Sequence, residues 1–209
     1  MTTRQRPVPF RRPRPAAAPD DLCALVPDLE LQPEWQQGLT RLHAAQGGRN
    51  PDEVADLRRA VALRLIRALR TDQVRDAIAN GDPFWTALAL SVIATPYQWH
   101  QSMRIKLNAM RALRRRLDSA DVQEVDRNRI LNALTSALLF AVDAGIGEEF
   151  RAVTRIARRV ATSELVTGLE HRSRDAVERP IRINAQRMLD AVHGKPYRRY
   201  GADTGGRTT

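Results

Sequence analysis

Apolar residues recur along most of this chain with the period of an α-helix. In one segment Val54, Leu57, Val61, Leu65 and Ala68 follow one another at steps of three and four residues, which places their side chains on one helical face. Runs of β-branched residues that alternate strictly with polar ones are missing, so no strand is predicted. The pattern therefore predicts an all-α protein, a single compact bundle of roughly seven to nine helices.

Proline after a capping residue marks several helix starts. A residue that can cap a helix or remain extended precedes proline at the first helical position in three places: Asn50-Pro51, Asp82-Pro83 and Thr95-Pro96. The predicted helices span residues 33–46, 51–69, 72–79, 83–94, 96–117, 120–144, 148–162, 163–178 and 180–193. The break between the two segments that meet near residue 162 is left open. Residues 20–32 are acidic and predict a short helix, interrupted near Pro27, that packs near basic helices of this chain or of a neighbour.

The two ends of the chain differ in composition from the middle. Residues 1–19 carry five arginines, five prolines and no acid, and residues 194–209 are polar, glycine-rich and basic. Such compositions do not bury apolar surface, so a disordered basic arm and a flexible basic tail are predicted on either side of a helical domain at residues 20–193. The arm either lies along nucleic acid or a partner, or is a solvated tail without a role.

The net charge of +10 is unevenly distributed. Residues 1–19 contribute +5 and residues 194–209 contribute +3, which leaves +2 for the helical domain between them. Cationic character in the folded part must therefore come from clustering. Apart from Lys106 and Lys195, every basic residue is arginine, whose planar fork suits phosphate oxygens. A GC-rich genome would favour arginine codons as well, so arginine content alone decides little.

Two helices carry rows of arginine opposite an apolar face. Residues 83–117 contain no acid, and the predicted basic helix there has a core face of Met103, Leu107, Met110, Leu113 and Leu117. The opposite face presents Arg104, Asn108, Arg111 and Arg115 over about 16 Å, enough for two or three phosphates. A second row consists of Arg151, Arg155, Arg158 and Arg159, opposite Phe150, Val153, Ala157 and Val160. The two rows would form one groove if their helices packed side by side.

Other candidate residues lie at the ends of the chain and at one helix bend. Arg11 and Arg12 in the arm, with Arg198 and Arg199 in the tail, are further candidates for contact with phosphate. Tyr97 and Trp99, near the start of the basic helix, would stack on bases if exposed, but burial at the bend is the favoured interpretation.

No catalytic, metal or cofactor site is predicted. The residues His43, His100, His171 and His193 lack partners at metal-ligand spacing, and Cys23 is the single cysteine. A helix-turn-helix around Ala44, Gly48 and Val54 is rejected, since its recognition helix would turn Asp52, Glu53 and Asp56 toward phosphate. Neither a signal peptide nor a membrane-spanning run is predicted, so a cytoplasmic location away from membranes is expected.

Taken together, these features indicate a non-catalytic subunit of a larger nucleoprotein assembly. It would contact the phosphate backbone without sequence specificity, with RNA or single-stranded DNA favoured and other protein subunits as partners. The profile is like that of small helical subunits of CRISPR effector complexes and of small phage DNA-packaging proteins, by analogy only, because no motif connects the chain to either. The alternative is a protein–protein scaffold or virion component whose arginine rows pair with acidic partner surfaces.

Overall fold

A computed structural model describes residues 22–46, 50–95, 102–145 and 149–195. Across these ranges the chain is all-α, with nine α-helices and two short 3₁₀ helices, Leu22–Leu25 and Leu29–Leu31. The α-helices are α1 (Pro33–Gln46), α2 (Pro51–Ala68), α3 (Asp72–Ala79), α4 (Pro83–Ala94), α5 (Ser102–Leu117), α6 (Glu124–Ala144), α7 (Phe150–Val160), α8 (Ser163–Asp175) and α9 (Arg179–Val192). The compact all-α bundle is thereby confirmed. The predicted arm, the tail after Lys195, and Tyr97, Trp99 and His100 lie outside the described residues.

Side-chain caps start several helices where the sequence predicted them. The side chain of Asn50 accepts a hydrogen bond from the backbone N–H of Asp52, and that of Asp82 accepts one from Trp85. Between α7 and α8, Ala161 takes a left-handed conformation with φ 35°, and Thr162 caps α8. A left-handed residue followed by an N-cap ends one helix and begins the next. The open break near residue 162 is therefore a true helix boundary.

The start predicted for α6 was wrong by four residues. Helix α6 begins at Glu124 rather than at Ala120. Asp121, expected in an early helical turn, instead precedes the helix and accepts hydrogen bonds from Ser119 and Arg116. These bonds, with that from Ser119 the largest cause, lower the pKa of the Asp121 carboxyl below its usual value. Because these side chains form local hydrogen bonds, they favour a non-helical conformation in the segment before Glu124.

Helix α5 packs against α3, α4, α6 and α7. Of its predicted core face, Leu107, Met110 and Leu113 are buried, whereas Met103 and Leu117 are partly buried. The helix also buries Ile105, Lys106, Ala109 and Ala112. It is thus enclosed on more than one side and leaves only a narrow strip at the surface.

Helix α7 packs against α5, α6 and α9. The side chains predicted for its inner face, Phe150, Val153, Ala157 and Val160, are all buried. This amphipathic pattern fixes which way the arginines of α7 point. At the other end of the chain, the acidic segment before α1 contacts a basic helix as predicted, with Glu30 3.0 Å from Arg58.

Candidate nucleic-acid interface

The arginine row of α5 is exposed but faces acids from other helices. Arg115 Nη1 lies 3.0 Å from Asp76 Oδ1 at the end of α3, and Arg104 Nε lies 4.0 Å from Glu149 Oε1 beside the start of α7. The segment that contains no acid in sequence is therefore partly neutralised in space. Among the described residues, no carboxylate lies within 4.0 Å of Arg111, which donates to Asn108 Oδ1 over 3.3 Å.

Other basic side chains of α5 have structural contacts. The Arg116 side chain is 12% exposed and contacts Asp121 Oδ1 at 2.8 Å and the carbonyl oxygen of Ala79 at 3.4 Å. It thereby connects the end of α3 to the segment before α6. Arg114 pairs with Asp118 one helical turn away. These arginines contribute less to a binding surface than their number in the sequence suggests.

A pocket of mixed charge lies beside the α5 row. It has a volume of about 350 Å³ and is lined by Arg70, Arg104, Leu107, Asn108, Arg111 and Glu149. Glu149 contributes a carboxylate that would repel an approaching phosphate. Three predicted residues, Arg104, Asn108 and Arg111, thus come together here, while Arg115 lies outside the pocket lining beside Asp76.

The arginine row of α7 has a different environment. Arg151, Arg155, Arg158 and Arg159 are all exposed. Within the described part of the chain, no carboxylate lies within 4.0 Å of Arg155, Arg158 or Arg159. Helices α5 and α7 do pack together, yet each row lines a pocket of its own rather than one shared groove.

The pocket beside α7 lies between that helix and α9. Its volume is about 310 Å³, and it is lined by Arg151, Thr154, Arg155, Arg158, Arg187, Ala191 and Lys195. Five of these seven residues are cationic and none is acidic. Arg159 is not among them, because it lies about 80° around the helix from Arg151 whereas Arg155 and Arg158 lie within about 40°. We refer to this site as the α7–α9 pocket.

The sequence interpretation missed two of its cations, Arg187 and Lys195, as part of a site. Arg187, Ala191 and Lys195 follow at steps of four, so the row spacing recognised on α5 and α7 was present here too. The apolar residues Met188, Leu189 and Val192 dominate the periodic pattern of this helix, so its cations do not stand out as a row. Lys195 also lies beyond the last helical residue of α9, where helical periodicity gives no guidance.

A helix-ending turn positions Lys195. Gly194 has φ 72°, its backbone N–H donates to Ala191 O over 3.1 Å, and the N–H of Lys195 donates to Asp190 O over 2.7 Å. These two bonds form a Schellman motif, which needs the left-handed conformation that glycine adopts without strain. The Lys195 Nζ lies 3.9 Å from Asp190 Oδ1, while Asp190 itself is buried.

Cations concentrated in one concave space favour an anionic ligand. Arginine and lysine remain charged at neutral pH, and their mutual repulsion falls when an anion lies between them. Guanidinium groups can each bind two phosphate oxygens, which adds geometric selectivity for phosphate and carboxylate. Thr154 directs its hydroxyl to the carbonyl oxygen of Arg151 over 2.8 Å, so the cations supply the donors most suited to a ligand.

Other ligand classes find less support among the described residues. These contain no group of three or more His, Cys, Asp or Glu side chains that could hold a metal ion. Among the described histidines, His171 contacts Asp175 within the same helix. Along the described ranges, none of the helices combines the length and the apolar character that crossing a bilayer requires.

Comparisons with protein-family models, with curated proteins and with solved structures found no match to this chain.

Proposed function

We propose that this protein is a non-catalytic subunit of a nucleoprotein assembly that binds the phosphate backbone of single-stranded nucleic acid through the α7–α9 pocket. The observation that carries this proposal is the pocket lining, in which Arg151, Arg155, Arg158, Arg187 and Lys195 surround one concave space without an acid. Backbone contacts of this kind hold a strand without reading its bases.

The size of the pocket favours a single strand over a duplex. A volume of about 310 Å³ lies near the lower end of the range for ligand pockets, so it holds a phosphate with its sugar rather than a double helix. Arginine side chains can also stack on bases that leave the stack. RNA and single-stranded DNA are therefore the expected ligands, with no preference for sequence.

The α5 row would extend this surface in a secondary role. Arg111 is exposed and has no described carboxylate within 4.0 Å, although Glu149 lines the same pocket, and Arg104 and Arg115 lie beside Glu149 and Asp76. A phosphate that approached these two would have to compete with carboxylates already in place. We therefore expect the α7–α9 pocket to contribute more of the affinity than the α5 row.

The first test is binding of the full chain to a fluorescently labelled, mixed-sequence single-stranded RNA, followed by fluorescence anisotropy. If the pocket and its surroundings neutralise about three phosphates, affinity should fall roughly twenty-fold between 50 and 200 mM salt, from a slope of about −0.7 per phosphate. Absence of binding at low salt would refute the proposal. Purification in a fixed ratio with an acidic protein would then favour the scaffold alternative.

A pair of charge-reversal variants tests whether RNA binds at the α7–α9 pocket. Replacing Arg155→Glu together with Arg158→Glu should weaken binding by roughly tenfold or more, since two phosphate contacts become repulsive. The matched control is Arg59→Glu with Arg64→Glu, two exposed arginines of α2 that line neither pocket. Both variants change the net charge equally. Equal loss of affinity in the two would show that overall charge, rather than the pocket, governs binding.

A further inference from the structure

We infer that the α7–α9 pocket binds the phosphorylated end of a strand, a terminal phosphate monoester, in preference to an internal phosphodiester. This inference rests on the proposed function and adds the feature of the strand that the pocket selects. It follows from the charge gathered in the pocket, from the arrangement of donors around it, and from the way α9 ends beside it.

The charge of the pocket exceeds what an internal linkage supplies. Five cationic side chains line about 310 Å³, a space that holds one nucleotide unit. An internal phosphodiester brings a single negative charge, whereas a terminal monoester carries about −1.5 to −2 at neutral pH. Lys195 lies 3.9 Å from Asp190, but Arg155 and Arg158, which have no described carboxylate within 4.0 Å, alone bring two positive charges to the lining, and the terminal group balances these better than an internal phosphodiester does.

The donors approach from different directions. Arg151, Arg155 and Arg158 project from α7, Arg187 projects from α9, and Lys195 follows the end of α9. A phosphodiester has two unbridged oxygens, while a monoester has three strong acceptor oxygens. Donors arranged on more than one side can therefore satisfy a monoester more completely, because each guanidinium can pair with two of its oxygens.

The end of α9 brings the Arg158 guanidinium close to the turn that precedes Lys195. A Cβ atom built on Gly194 would lie 3.9 Å from Arg158 Nη2, so the Arg158 guanidinium is next to the turn that carries Lys195. This part of the pocket combines a planar guanidinium with a compact ammonium group. The two provide a fork and a point charge for one phosphate, and they are the groups on which we expect end recognition to depend.

The test compares short RNA strands of about ten nucleotides, a length over which an end makes up a large share of the ligand. One strand has hydroxyl groups at both ends, one carries a 5′-phosphate, and one carries a 3′-phosphate. A longer strand with hydroxyl ends, chosen to match the total charge of the phosphorylated ones, controls for charge alone. At least one phosphorylated strand should bind about tenfold more tightly than this control, equivalent to roughly 1.4 kcal/mol. The 5′ and 3′ arms show which end supplies the phosphate.

Two variants at neighbouring positions assign the preference to the pocket. Arg158→Gln should remove most of the preference for the phosphorylated strand. Arg159→Gln should retain it, because Arg159 is exposed on the same helix but lies outside the pocket lining. Both substitutions remove one charge. Loss of the preference in both variants, or in neither, would overturn the assignment to the pocket.

Failure of this inference can be distinguished from failure of the proposed function. If the phosphorylated strands and the charge-matched control bind equally and with strong salt dependence, the pocket binds internal phosphates, so the proposed function stands and the inference is overturned. If no strand binds, both are overturned.

Discussion

Lys106 is a buried cation whose ionisation should be visible in the stability of the protein. Lys106 is 4% exposed. Its ammonium group donates a hydrogen bond to the carbonyl oxygen of Thr95, just after α4, and Nζ lies 5.1 Å from the centre of the Phe140 ring. Removal from water disfavours the charged form, and burial lowers the pKa of Lys106 from 10.5 to about 8.

The sign of the effect follows from the two pKa values. Below pH 8 both the folded and unfolded states hold the proton, so folding bears the full cost of burying the charge. Between pH 8 and 10.5 the folded state releases the proton while the unfolded state still binds it, so stability rises with pH. Between pH 7 and pH 10 the gain is about 2 to 3 kcal/mol, at about 1.4 kcal/mol per pKa unit.

The assay is urea unfolding of the wild type and of Lys106→Met from pH 7 to pH 10. Methionine keeps a long unbranched side chain without the charge, and the loss of the bond to Thr95 adds an offset that does not depend on pH. Because the wild type and the variant differ only at position 106, the pH dependence of the difference in their free energies of unfolding isolates Lys106. We expect the wild type to gain about 2 to 3 kcal/mol relative to the variant.

Lys195→Met is the control, because the Lys195 side chain is 62% exposed. Its difference from the wild type should change little over the same pH range. A difference between wild type and Lys106→Met that is equally independent of pH would refute the reasoning, since it would mean that burial does not penalise this charge.

Two further predictions concern residues with left-handed backbone. Ala161→Gly should stabilise the protein by about 0.5 to 1 kcal/mol in thermal unfolding, because alanine at φ 35° bears a steric cost that glycine avoids; a lower melting temperature would contradict this. Gly194→Ala should cost about 1 kcal/mol and should also weaken RNA binding, as strain in the Schellman turn displaces Lys195. The control is Gly145→Ala, at φ 60° after α6, which should have a similar cost in stability and leave RNA binding unchanged. If Gly194→Ala and Gly145→Ala affected RNA binding equally, the role of the Gly194 turn would be refuted.

The inner and outer faces of α7 could be predicted from sequence, since amphipathic periodicity is a local property. Phe150, Val153, Ala157 and Val160 are buried as expected, and the arginines between them are exposed. Helix boundaries that depend on a capping residue followed by proline, such as Asp82-Pro83, could also be predicted from the sequence. The start of α6 was not, because hydrogen bonds from Ser119 and Arg116 to Asp121 compete there with the helix.

Charge pairing between helices could not be predicted in the same way. Asp76 lies 39 positions before Arg115, and Glu149 lies 45 positions after Arg104, so the proximity of each pair depends on tertiary packing. Residues 83–117 contain no acid, but the electrostatic interactions of their arginines depend on distances in the fold, and acids from other helices lie close to them. The sequence likewise indicated cationic faces on separate helices, but not that α7 would lie against α9 and bring Arg187 and Lys195 beside Arg158.

The different surroundings of the two lysines have a practical consequence for labelling. Acylating reagents need access to an unprotonated amine, and Lys106, despite its lowered pKa, is shielded within the bundle. Lys195 is exposed at the edge of the α7–α9 pocket. A lysine-directed reagent should therefore modify a single side chain, beside the pocket, and because acylation removes the charge of Lys195, binding of RNA should weaken as the label is attached.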